Sequence, residues 1–262
     1  VVADIHLGIE WDLYRSGINL PSQMKGRLDR LLGYIQANSP DRVILLGDVK
    51  HNVPKVSWQE KDEIPRFLET LAEHTHVDII PGNHDGGIEL LFNRHKDIRV
   101  HSARGAVIDG TGYFHGHTWP ASEILAVSHA VTAHNHPTVR FTDSFGYSVV
   151  EPAWIRTKFN MEVLKIHFGN LDFENPAQWA DPELFVMPAF NELCGGVPFN
   201  ESTQEELLGP AFSSGGIKLE ASEVYLLDGT RLGLLRNIRK LKHTRVRNKN
   251  QNRRCRNSKG ST

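Results

Sequence analysis

Residues 43–51 read VILLGDVKH and residues 77–87 read VDIIPGNHDGG. Each is a short aliphatic run that stops at glycine, or at proline and glycine, and then at once presents Asp, Asn and His. Such a run is the signature of a buried strand whose carboxyl end opens into a polar loop. Between the two, Ile64, Phe67, Leu68 and Leu71 recur at helical spacing. Upstream, Met24, Leu28, Leu31, Leu32 and Ile35 do the same behind the helix-start residues Pro21 and Ser22. The opening stretch, VVADIHLG at residues 1–8, repeats the strand-then-polar form. Strands alternating with helices predict a largely parallel sheet in this half of the chain.

Beyond residue 95 the pattern changes to short strand-like segments separated by close turn signals, at 98–100, 106–108, 113–114, 125–131 and 139–141. These predict a second, mixed sheet. In EVYLLDGTRLGLL, residues 223–235, Asp228 and Gly229 between two apolar runs predict a hairpin. Residues from about 170 to 222, rich in Pro, Gly and Asn, read as long ordered loops or a small cap. The chain starts at Val1 inside an apolar run, so a few further residues are expected before it, and a removed leader stays open.

The chain has 262 residues, 39% hydrophobic and 23% charged, and no apolar run approaches the roughly 18 residues of a membrane span. That excludes an integral helical membrane protein and a chain disordered throughout. Cys194 and Cys255 provide neither a disulfide framework nor a thiolate cluster, which points to a cytoplasmic protein whose metal chemistry uses His, Asp and Asn. The net charge of −1 is unevenly spread: residues 239–262 hold ten of the 30 Lys and Arg and none of the 31 Asp and Glu. The organisation expected is one domain over 1–238 and a basic, disordered tail over 239–262 that could contact nucleic acid.

Five polar clusters each follow an apolar run. They are Asp4 and His6, Asp48, Asn83 to Asp85, His115 and His117 in YFHGHTWP, and His134 and His136 in VTAHNHP. Ligands of α/β sheets bind beyond the strand carboxyl ends, so the five should converge. Crowded Asp and His there cost several kcal/mol in desolvation unless a cation is shared among them. The donors Asp4, His6, Asp48, Asn83, His115, His134 and His136 exceed what one ion usually takes, which implies two divalent ions with Asp48 as the bridge. Without sulfur, the set favours Mn²⁺, with Fe or Zn²⁺ as alternatives. Lys50 and His51 follow the bridging residue and could touch a substrate phosphate, or merely support the loop. His117 could do the same, or hydrogen-bond a neighbouring ligand.

The order of these motifs resembles that of the calcineurin-like metallophosphoesterases, and it is closest to ICC-like phosphoesterases of archaea and bacteria. The likeness is carried by ADIHLG, GDVKH, PGNHDGG, HGHTWP and HNHP over residues 1–137, and by PAFNELCGG to about residue 200. Ala133 stands where that pattern usually has Gly. The resemblance implies an α/β fold, a four-layer α/β/β/α sandwich of two mixed sheets. It implies one ion on Asp4, His6, Asp48 and His136 and another on Asp48, Asn83, His115 and His134. His84 would act near the leaving group, with Asp85 orienting it.

Three functions follow as expectations. The first is a phosphodiesterase, extending to nucleic acid if the tail captures it. The second is a small-molecule phosphatase or nucleotide phosphodiesterase, and the third a non-catalytic interaction module. Neither the substrate nor the oligomeric state is written in the sequence.

Overall fold

The computed structural model describes residues 1–93, 95–169 and 179–239. Its first sheet orders β1 (Val2–Ala3), β2 (Arg42–Leu46), β3 (His76–Ile80) and β4 (Ile98–Val100), every pair parallel. The crossovers carry α1 (Ile9–Arg15), α2 (Met24–Asn38) and α3 (Trp58–Ala72). Strand residues alternate between faces, and the sheet uses both. Val43, Leu45, Val77 and Ile79 pack against Leu31, Ile35, Phe67 and Leu71 of the helices. Ile44, Leu46 and Ile80 face the other way, onto Ile108 of the second sheet and onto Ala133 and Met187, which directly follow two of its strands.

The second sheet comprises β5 (Ala106–Ile108), β6 (Thr111–Tyr113), β7 (His129–Thr132), β8 (Pro137–Thr142), β9 (Ser148–Lys158), β10 (Glu183–Val186), β11 (Val197–Pro198), β12 (Glu223–Leu226) and β13 (Arg231–Leu234). Its outer face holds a third core with Ala153, Ile155, Leu184 and Val186, closed by Leu164 and Phe168 of α4 (Met161–Phe168) and Ala211 and Phe212 of α5 (Pro210–Ser213). The layers therefore run helix, sheet, sheet, helix. The second sheet is mixed as expected, whereas the first is parallel throughout its four strands.

Three expectations change. The segment read as a loop-rich cap contributes β10, which lies between β7 and β9 inside the second sheet, and buries Phe199, Leu207 and Phe212. It is part of the domain body; residues 170–178 lie outside the described residues. The run at 125–131 is split: Ser122–Ala126 forms a 3-10 helix and the strand begins at His129. Arg239, assigned to the tail, bonds the Phe199 carbonyl at 2.7 Å and Glu220 at 2.7 Å, so the body extends to it. The rest of the basic tail, 240–262, lies outside the described residues. No described helix is long and apolar enough to cross a membrane.

Candidate metal centre

All five polar clusters meet at the carboxyl end of the first sheet, where the ends of β1, β2 and β3 face the loops after β6 and β7. Asp4 and Asp48 are 0% and 2% exposed, and His6 and His115 are equally sealed. The Asp48 Oδ2 is ringed by three imidazole Nε2 atoms, of His6 at 3.6 Å, His115 at 3.7 Å and His84 at 3.9 Å. None of the three is within hydrogen-bond distance. Nearby, Asp4 Oδ1 meets His115 Nε2 at 2.9 Å and His136 Nε2 at 3.3 Å. Donor atoms of Asp4, His6 and Asp48 lie within 4.8 Å of one another, as do those of Asp48, His115 and His134.

The backbone is bent to make this possible. Asp4, His6, Asp48, His134 and His136 have φ of 53°, 46°, 48°, 69° and 43°, and they are five of the eight non-glycine residues with positive φ among those described. Each such residue costs about 1–3 kcal/mol, and that strain concentrates where structure serves a site. Asp and His tolerate the left-handed region better than most residues. Ala133 is not in that region, so an alanine fits there without backbone strain. Gly47 and Gly82 leave room for the cluster: a Cβ would come 2.1 Å from the His115 ring at the first and 2.1 Å from Asp48 Oδ1 at the second.

The imidazoles are held from behind. His136 Nδ1 donates to the Gly195 carbonyl at 2.8 Å, leaving its lone pair on Nε2. His115 Nδ1 lies 3.1 Å from His117 Nδ1, and His6 Nδ1 lies 3.2 Å from His51 Nδ1. Ligating histidines usually have this construction, one nitrogen to the ion and the other to a second group. The Nε2 of His136 makes no hydrogen bond although it faces Asp4 Oδ1 at 3.3 Å, so the donor set fits a cation that would complete it.

Burial lowers His115 and His136, but Asp4 beside them outweighs it and raises both; at three other rings burial wins. It pushes His6 down to about 2, His134 to about 3 and His117 to about 4, keeping these rings neutral. Burial, opposed by His115 and reinforced by Asp4, pushes the Asp48 carboxyl up to about 6. For Asp4, burial alone would act the same way, but the hydrogen bond with His115 and the His136 ring 3.3 Å from its Oδ1 hold it well below the usual carboxylate range. A bound cation favours neutral imidazole and ionised carboxylate together.

Two residues are placed differently from expectation. Lys50 is 1% exposed and its Nζ donates to the Asn52 carbonyl at 2.7 Å, so it braces the 50–52 loop. Asp85 accepts from the backbone of Gly82 at 2.8 Å and Lys50 at 3.1 Å, tying two ligand loops together. It does not orient His84, whose Nδ1 is bonded to the His51 carbonyl instead. His84 keeps Nε2 toward Asp48 and is partly open to solvent. Asn83 is exposed on the same turn, whose next backbone N–H, that of His84, donates to Asp48 Oδ1 at 2.9 Å. His51 and His117 line the edges of the cluster, their rings 5.1 Å from His6 and 5.2 Å from His115.

Two supports have no role in the motif reading, although Asn191 lies within its PAFNELCGG stretch. Asn191 Nδ2 donates to the Ile5 carbonyl at 2.8 Å, between Asp4 and His6, while its Oδ1 accepts from Arg27 at 2.7 Å. Arg27 in turn pairs with the buried Glu10 at 2.7 Å. Glu60 forms a capping box with Ser57 and also accepts from the backbone of His51 at 2.9 Å and Asn52 at 2.7 Å. The Ser57-x-x-Glu60 spacing was the available signal for it.

No family model and no curated protein sequence matches the chain. Among solved structures, similarity is found to nuclease MPE of Pseudomonas putida, 17% identical over 89% of this chain and 85% of that one, with a TM-score of 0.47. A phosphoesterase from E. coli, Yfce, is 12% identical over 88% of this chain and 94% of its own, with a TM-score of 0.40.

Proposed function

We propose that this chain hydrolyses phosphodiesters at a centre of two divalent cations, Mn²⁺ foremost and Fe or Zn²⁺ as alternatives. The observation that carries the reading is Asp48 Oδ2, buried among three imidazole Nε2 atoms at 3.6–3.9 Å that it does not hydrogen-bond. Side chains so arranged repel or waste one another unless a cation lies among them. The ordered motifs of the sequence agree with it. Asp4, His6, Asp48 and His136 would hold one ion, and Asp48, Asn83, His115 and His134 the other. Bound divalent ions supply a water of lowered pKa and neutralise phosphoryl oxygens.

The chain's own residues do the rest. His84 Nδ1, fixed on the His51 carbonyl, keeps its proton, so Nε2 is the atom that exchanges one with a leaving oxygen. Asp85 keeps the loops of Asp48 and His84 in register through its two backbone hydrogen bonds.

His84→Gln is expected to cut kcat on bis-p-nitrophenyl phosphate by about 10²–10⁴-fold, with elemental analysis still finding two metals per chain. Loss of metal in that variant, or unchanged turnover, would overturn the role. Activity on p-nitrophenyl phosphate but not on the diester would replace diesterase by phosphatase. The nucleic-acid reading rests on the basic residues 239–262. Cutting after Arg239 spares the body and should reduce hydrolysis of single-stranded DNA and flatten its salt dependence.

A further inference from the structure

The segment bracing the site also brings a sulfur to it. A Cys194 Sγ, a His6 nitrogen and a His136 nitrogen all lie within 4.8 Å of one another. Zinc–nitrogen and zinc–sulfur bonds of about 2.1 and 2.3 Å put two donors of one ion at most about 4.4 Å apart. The three atoms are thus within a small side-chain adjustment of sharing an ion. The second observation is His136 itself. Its Nδ1 is spent on the Gly195 carbonyl, and its Nε2 makes no hydrogen bond, facing only the ligand carboxylate Asp4 at 3.3 Å.

The placement of the thiol is built into the backbone. Cys194 N–H bonds the Asn191 carbonyl at 3.2 Å, and Asn191 is anchored to Ile5. At the other end, Gly196 packs so closely that a Cβ would meet the His136 carbonyl oxygen at 2.4 Å. The loop from Asn191 to Gly196 is therefore fastened at one end to the Asp4–His6 segment that follows β1 and at the other to His136. Composition alone had pointed to a site without sulfur; the fold delivers one.

We propose that Cys194 is a sulfur ligand of the ion held by His6 and His136, giving that position a preference for Zn²⁺, Fe²⁺ or Co²⁺ over Mn²⁺. The proposal rests on the two-cation reading and revises its metal order at this one position, where a soft donor selects borderline metals ahead of Mn²⁺. On coordination the S–H bond breaks, the metal–sulfur bond forms and the proton leaves to solvent; no oxidant takes part.

The test is anaerobic titration of the metal-free full chain with Co²⁺, followed by electronic absorption. The wild type should show visible d–d bands together with a near-ultraviolet sulfur-to-cobalt charge-transfer band. Cys194→Ser should keep the d–d bands and lose the charge-transfer band. In parallel, its Zn²⁺ affinity should fall about tenfold or more while that for Mn²⁺ stays within about threefold. Cys194→Ala, checked for native circular dichroism, should behave as the serine variant does. Wild-type d–d bands without charge transfer, or a charge-transfer band that survives in both variants, would overturn the sulfur ligand and leave the two-cation centre standing. Absence of d–d bands in the wild type would overturn the centre itself.

Discussion

Asp48 and Asp78 are both buried carboxylates of the same parallel sheet, 2% and 1% exposed, and both are ringed by histidine. They are completed in opposite ways. Asp78, within β3, receives His101 Nε2 on one oxygen at 2.6 Å and Arg42 on the other at 2.8 Å. Asp48, just past β2, uses Oδ1 on a backbone N–H and turns Oδ2 to three nitrogens that stand off beyond bonding distance. Asp78 has ordinary strand backbone, and Asp48 is forced to a φ of 48°. A buried acid that is satisfied by its neighbours stabilises the sheet. One that is strained and left open is organised around something else.

The contrast is broken most directly by exchanging the two losses. Asp48→Asn should abolish metal uptake and turnover while leaving the apoprotein at least as stable, because it removes charge from a crowded buried site. Asp78→Ala should leave two metals and normal turnover but destabilise the fold by about 2 kcal/mol, since Arg42 and His101 lose their shared partner. Elemental analysis and denaturant unfolding of the two variants read this out. If Asp48→Asn unfolds the protein or Asp78→Ala loses its metal, the division between structural and functional carboxylate fails.

A smaller effect concerns what holds the strained residues. Asn191 ties the Ile5 carbonyl, flanked by Asp4 and His6 at φ of 53° and 46°, to the buried Arg27–Glu10 pair. Asn191→Ala should weaken metal affinity about 10–100-fold, as loss of groups supporting ligands does. Competition against a fluorescent chelator measures it. An unchanged affinity would mean that the left-handed residues hold their shape without bracing.

The same contrast explains what the sequence disclosed. The parallel first half and the convergence of the polar clusters were legible because β2, β3, α2 and α3 have clean apolar periodicity and each polar motif sits just past a strand, whereas the four layers were implied only by the family resemblance. The long strand β9 was not, because Pro152 interrupts it and its first four residues are exposed on both faces. β10 has only four residues, ELFV, and owes its central place to burial of Leu184 and Val186 rather than to any local signal. Side-chain direction after a strand end was also beyond reach. Lys50 and Asp85 sit in motifs full of ligands, yet one points into a loop carbonyl and the other onto two backbone amides. Asn191 and Cys194 come from the far half of the chain, where only the three-dimensional fold reveals their neighbours.

The finest test of the comparison uses pH. Burial alone would raise the Asp78 carboxyl, but hydrogen bonds with His101 and Arg42 outweigh it and hold it below the usual carboxylate range. A carboxyl depressed in the folded state binds its proton later than in the unfolded chain. Its contribution is therefore fully present above the unfolded value of about 3.9 and is lost as pH falls below that through the folded value. The difference in stability between wild type and Asp78→Asn should accordingly be present at pH 5, on the order of 1 kcal/mol, and shrink as pH drops below about 4. Thermal unfolding of the metal-free proteins across that range decides it. A gap that instead widened with acid would show that the Asp78 cluster is not the self-sufficient pairing that sets it apart from the open carboxylate at Asp48.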